Sequence, residues 1–232
     1  MATVANLPVS AAAPRVPRLE PGDHLSRAEF ERRYHAMPSR VKAELIEGIV
    51  YLPSPVRLTH HGRPHGWMMT FLGTYEAATP GTESADNATI RLDLENEPQP
   101  DGLLRILESH GGQSRLDADG YVTGSPELVV EITASSVSYD LHEKKRAYHR
   151  NGVREYLVWL VEEERIAWWE LKEGDYVLLE PDPSGVLRSG VFHGLWLDAL
   201  AMLRGDLARV LETVREGTRT DEHAAFVADH LA

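Results

Sequence analysis

Residues 126–159 read PELVVEITASSVSYDLHEKKRAYHRNGVREYLVW, and this stretch decides the fold class. In Glu127–Ile132 the side chains of Leu128, Val130 and Ile132 share one face, while Glu127, Val129 and Glu131 share the other. On a central strand, Glu131 would point into a covered face and would have to be protonated, paired or metal-bound. On an edge strand it would sit in water, and the pattern alone leaves both readings open. Asp140 then reads as the N-cap of a helix, with Glu143 completing a capping-box-like pair and Gly152 closing it. Leu141 and Tyr148, seven apart, define the inward face of that helix. Lys144 and Lys145 fall about 50° to either side of its centre. Lysines beneath a helix either snorkel outward or meet an acid, and periodicity does not choose between these two.

Working outward, Ser26-Arg-Ala-Glu29 reads as a capping box opening a short helix that Pro38 closes. AELIEGIVYLP (43–53) reads as strand, turn at Gly48 and strand. Pro64 starts a helix through about Ala78, and Ala88–Leu94 alternates as a strand. Gly102–Leu107 and Glu127–Ile132 are candidate interior strands. Arg154–Val161, Ile166–Leu171 and Tyr176–Leu179 follow, the last two joined as a hairpin through Lys172–Asp175. Beyond Leu197 the chain is Ala/Leu-rich and helical. The expected organisation is a disordered Ala/Pro-rich leader (1–25), a mixed α/β domain (26–204) and a C-terminal helical extension (205–232).

The 232 residues carry 24 Lys+Arg against 36 Asp+Glu, a net charge of −12 that argues against a broadly basic, sequence-independent nucleic-acid binder. The charge is uneven. Residues 82–108 sum to −5, whereas 140–156 sum to +2, so positive charge gathers on the helix after the Glu131 strand. With no cysteine there is no disulfide, thiolate metal site or Cys nucleophile, which suits a cytoplasmic location. No apolar run reaches the length of a membrane helix.

Pro100-Asp101 stands just before the apolar strand at 103–107. Pro-Asp is common in turns; here it joins an acid on a second strand and an inward lysine on the next helix. Two carboxylates can fix Mg²⁺ against a phosphodiester, and a lysine can orient water or neutralise charge in the transition state. His61-x-x-x-His65 has zincin spacing, but Gly62 replaces the glutamate and Pro64 interrupts the helix. His60 is read either as a phosphate or metal contact or as a loop histidine. The five tryptophans are read as core or interface packing in preference to base stacking.

The stretches AELIEGIVY, Pro100-Asp101, PELVVEI, DLHEKKRAYHRNGVREYLVW and FHGLWLD resemble the Uma-two family of restriction endonucleases, bacterial members of the PD-(D/E)XK nuclease superfamily. The most specific element is Asp140, Lys144 and Tyr148 followed by Gly152, Val153, Glu155 and Tyr156. The resemblance implies a restriction-endonuclease-like α/β fold, a mixed central sheet flanked by helices with a C-terminal helical annex. It makes Asp101 and Glu131 metal-binding acids, selects Lys144 over Lys145, and adds Glu44 as an assisting, possible metal-binding acid. The superfamily lysine position, two beyond the second acid, is Thr133 here. Gly102 stands where a branched apolar residue is usual, and Thr133-Ala-Ser-Ser136 replaces the usual Leu-Ser-Pro-Ser. The implied function is Mg²⁺- or Mn²⁺-dependent hydrolysis of nucleic acid, DNA first, by a homodimer without membrane contact. A non-catalytic nuclease scaffold mediating association is the alternative, and another phosphodiester substrate a third reading.

Overall fold

The computed structural model describes residues 16–38, 41–52, 58–134 and 137–231. Residues 1–15 of the expected leader and Ser135-Ser136 lie outside the described residues. Helix α1 (Arg27–Tyr34) precedes the hairpin β1 (Glu44–Ile46) and β2 (Ile49–Tyr51). Glu47 and Gly48 both have positive φ (54° and 73°), the geometry of a tight two-residue turn. A π-helical turn (Leu58–Gly62) runs into α2 (Arg63–Ala78), followed by β3 (Thr82–Asp86), β4 (Ile90–Arg91) and β5 (Gly102–Ile106). The short strands β6 (Arg115–Leu116) and β7 (Val122–Thr123) lead to β8 (Leu128–Thr133). After it come α3 (Val137–Tyr139), a π-helical turn (Asp140–Lys144) and α4 (Lys145–Arg150), then β9 (Glu155–Leu160), β10 (Arg165–Lys172) and β11 (Asp175–Leu178). The chain finishes with β12 (Val186–Arg188), β13 (Trp196–Asp198), α5 (Ala199–Arg204), α6 (Leu207–Thr218) and α7 (Asp221–Phe226).

The main sheet has six strands in the order β11-β10-β9-β8-β5-β3. Only β8 and β9 within it are parallel, joined by the helical segment 137–150 as a crossover; the other pairs are antiparallel. One face carries Leu128, Val130 and Ile132 against Met68, Phe71, Leu72 and Tyr75 of α2, with Ala201, Met202, Val210 and Val214 of the C-terminal helices. The other carries Val129, Tyr156, Val158 and Leu160 against Tyr148 of α4. Each such fully buried aliphatic side chain contributes about 1.5–3 kcal/mol. Gly102 is explained by this packing, since a Cβ there would lie 3.1 Å from Met69 Sδ and 3.4 Å from Leu72 Cδ1.

Several boundaries differ from expectation. Residues 16–25, assigned to the leader, are part of the fold: Leu19 is buried, Gly22 N donates to Val50 O and Leu25 N to Gly48 O. The hairpin's backbone groups need those partners, so the folded chain starts before Ser26. Neither half of the expected capping box forms: Ser26 makes no side-chain cap, and the Glu29 carboxylate pairs with Arg32 and Arg33. Asp140 is not an N-cap either. Tyr139 before it is already helical, and the Asp140 carboxylate turns inward toward Lys144. The expected strand 88–94 shrinks to Ile90–Arg91, because Leu92 N and Asp93 N both reach Asn96 O and turn the chain. The polar edge strand β3 and the pair β12–β13 carried no apolar alternation to betray them.

Candidate active site

Strand β8 is central, so its alternation drives Glu131 into the face covered by α3 to α4, where it is 3% exposed. On the covering helix, Lys144 is the inward lysine: its Nζ lies 3.0 Å from Glu131 Oε1, 2.9 Å from Glu44 Oε1 and 3.8 Å from Asp140 Oδ1. One turn further on, Tyr148 donates its hydroxyl to the same Glu131 Oε1 at 3.0 Å. Glu44 comes from β1, whose Leu45 exchanges two backbone hydrogen bonds with Glu97; that bridge lets Gln99 N donate to Glu44 Oε1 at 2.8 Å. Lys145 points elsewhere, its ammonium 3.7 Å from the centroid of the Trp169 ring.

Asp101 stands where the chain enters β5. Its Oδ2 accepts from the backbone N–H of Ile132, the residue after Glu131, at 2.7 Å. Its Oδ1 lies 2.9 Å from His61 Nε2, and its carbonyl accepts from His65 Nε2 at 2.8 Å. Of the cluster, His61 reaches the Asp101 carboxylate and His65 that of Asp86, its Nε2 3.0 Å from Asp86 Oδ1; His60 meets its neighbour Thr59 instead. His61 and His65 sit one helical turn apart with stacked rings, the i,i+4 spacing visible in the sequence.

The electrostatics follow from the geometry. Burial pushes Glu131 well above the ordinary carboxylate range, the Lys144 ammonium opposes it, and Asp140, Asp101 and Glu44 reinforce the rise. Burial alone would lower Lys144, but Glu131, Glu44 and Asp140 outweigh it and hold the ammonium charged. Asp101 is also buried, which raises it, yet the His61 hydrogen bond and the Ile132 N–H bring it below its ordinary value. His61 is raised, chiefly by that hydrogen bond and against its own burial. Three carboxylates thus surround one lysine, beside a fourth held by a histidine.

This donor set, all hard carboxylate oxygen in excess over the nearby cationic groups, suits a hard divalent ion. The spacing found is centred on the ammonium: among the described residues no three His, Asp or Glu side chains are grouped as ligands of one ion. Asp101, Glu131, Lys144 and Glu44, the four residues singled out in the sequence, are brought into one neighbourhood. Asp140, Tyr148 and His61 join them; in the sequence Asp140 reads as a helix cap, Tyr148 as a marker of the inward face and His61 as half of a broken zincin spacing, none of them with a part in the site. Much of the positive charge expected on this helix is spent within the fold, since Arg150 pairs with Glu47 and Asp93 and Arg146 with Glu143. Among the described residues no helix is long and apolar enough to cross a membrane.

Comparison with known proteins places this geometry in context. The model of the family described as "Uma2: Putative restriction endonuclease" matches residues 27–201. A crystal structure of a putative nuclease belonging to DUF820 from Anabaena variabilis ATCC 29413 superposes with a TM-score of 0.53 at 13% identity, covering 74% of this chain and 97% of that one. That likeness establishes a shared fold. No curated protein matches the chain.

Proposed function

The chain belongs to the Uma2 family of putative restriction endonucleases, and from that premise we propose that it is a metal-dependent endonuclease that hydrolyses phosphodiester bonds of DNA. The observation that carries the reading is the Lys144 ammonium held between Glu44 and Glu131, with Asp101 bonded to the backbone of the residue after Glu131. Asp101 and Glu131 would hold Mg²⁺ or Mn²⁺, with Glu44 assisting. A divalent ion in such a site supplies Lewis-acid polarisation of the phosphoryl group. Lys144, kept charged by its three acids, has no lone pair with which to accept a proton. Its role is therefore to orient the attacking water and to neutralise charge that develops on the phosphoryl oxygens. Tyr148 and Lys144 both bond Glu131 Oε1 and fix that carboxylate's orientation. One such site cuts one strand, so a double-strand break calls for two copies of the chain, which a homodimer provides.

The test is nicking of supercoiled plasmid by the purified chain with Mg²⁺ or Mn²⁺. Asp101→Ala and Lys144→Ala are each expected to abolish it; equal nicking by these variants defeats the assignment. A second reading, a non-catalytic nuclease scaffold, draws on the ammonium-centred spacing of the acids. Calorimetric titration separates the two, since Mg²⁺ binding that disappears in Glu131→Ala rules out the scaffold and a silent titration rules out the enzyme.

A further inference from the structure

One polar group beside this cluster has no hydrogen-bond partner among the described residues. The Tyr139 hydroxyl is buried and, among the described residues, makes no hydrogen bond. A buried hydroxyl left unpaired costs on the order of 1–3 kcal/mol, so such groups call for a ligand, an ordered water or a catalytic reason. Its surroundings indicate which. The Tyr139 ring packs against Tyr51 with centroids 4.1 Å apart and planes tilted by 34°, and Tyr51 is the cross-strand partner of Glu44 in the β1–β2 hairpin. The Lys144 ammonium lies 5.4 Å from the centroid of the Tyr139 ring. Burial pushes the Tyr139 hydroxyl above the ordinary tyrosine range, with Glu44 and Glu131 reinforcing the rise and Lys144 opposing it. Tyr139 also immediately precedes Asp140, so its backbone is fixed by the same helix that carries Lys144.

We propose that the Tyr139 hydroxyl holds an ordered water against the Glu44–Lys144 pair, making Tyr139 a positioning residue for the water that attacks the phosphodiester. The polar groups a buried water needs, two to four in number, are present in the tyrosine hydroxyl, the lysine ammonium and the carboxylates. The role given to that water rests on the endonuclease reading above; its location does not.

Tyr139→Phe removes the hydroxyl and keeps the ring packed against Tyr51. The variant is expected to stay folded with a Tm close to the wild type's, so that a change in kcat reports on the water and not on the fold. A crystal structure of the wild-type chain with MgCl₂ is expected to place a water within hydrogen-bond distance of Tyr139 Oη and of Glu44 or Lys144, and that water is expected to vanish in Tyr139→Phe. On plasmid, the variant is expected to lose about 10- to 100-fold in kcat with KM for DNA unchanged. A hydroxyl with no water beside it, or a variant with wild-type kcat, overturns the proposal. A wild-type chain that never nicks, yet carries the water, overturns the endonuclease reading and leaves the water site standing.

Discussion

Glu131 and Glu155 lie on neighbouring parallel strands, 3% and 0% exposed, and face opposite sides of the same sheet. Their surroundings differ in kind. Glu155 receives Ser189 Oγ at 2.9 and 2.8 Å, Gly190 N at 2.9 Å and Val191 N at 3.3 Å, all from one short segment that it anchors to the sheet. Glu131 receives an ammonium and a phenol from a covering helix, and shares the ammonium with Glu44. The first carboxylate is satisfied by local backbone and a serine, which gives it a structural task. The second sits among like charges, a costly arrangement that makes it the candidate site. Burial of an acid therefore does not identify a site; the character of its partners does.

The largest effect should come from breaking the charged side of this contrast. Lys144→Ala leaves Glu44, Glu131 and Asp140 buried without their shared cation, and should cost about 3–5 kcal/mol in chemical denaturation besides removing activity. A loss below about 1 kcal/mol would mean that the cluster relaxes into water and that its burial is not a constraint.

Next comes the neutral side. Glu155→Ala strands two backbone N–H groups and a serine hydroxyl and should cost about 2–3 kcal/mol, while Mg²⁺ titration stays as in the wild type. The same carboxyl is pushed up to about 7 by burial, opposed by the Ser189 and backbone donors. Because its folded value lies above the ordinary carboxylate range, the stability it contributes is complete at lower pH and is lost as pH rises through about 7. Melts from pH 5 to 8.5 should show the wild type losing Tm relative to Glu155→Gln across that window. Parallel curves for the two proteins would refute the assignment.

The smallest effect sharpens the contrast within one helix. Lys145→Met removes an ammonium lying over Trp169, an interaction of about 0.5–1 kcal/mol, and should leave nicking unchanged. Loss of cleavage there would mean that the wrong lysine has been assigned.

The two-residue alternation of ELVVEI placed Glu131 opposite Leu128, Val130 and Ile132, and the structure keeps that division. The Glu47-Gly48 and Glu173-Gly174 turns were equally legible, since positive φ at both positions is a local demand. The Leu141–Tyr148 stripe identified an inward face but stood equally near Lys144 and Lys145; the choice depends on where Glu44 and Glu131 stand. Asp140 looked like a cap because local rules see only its own helix, whereas a buried lysine one turn later draws its carboxylate inward. His61 rather than His60 reaches Asp101 because a turn of helix, set by the docking of α2, decides which ring faces β5.

What the sequence by itself determined is what local stereochemistry can encode: strand faces, hairpin turns, the helix after β8 and the residue types of a carboxylate–lysine site. The tertiary structure decided which face was covered, which lysine entered it and which tyrosine hydroxyl has no hydrogen-bond partner among the described residues. Glu44 is 100 residues from Lys144 in the chain and 2.9 Å from its ammonium in space. A contact of that kind is fixed by the burial of whole faces against one another, and no window of sequence contains it.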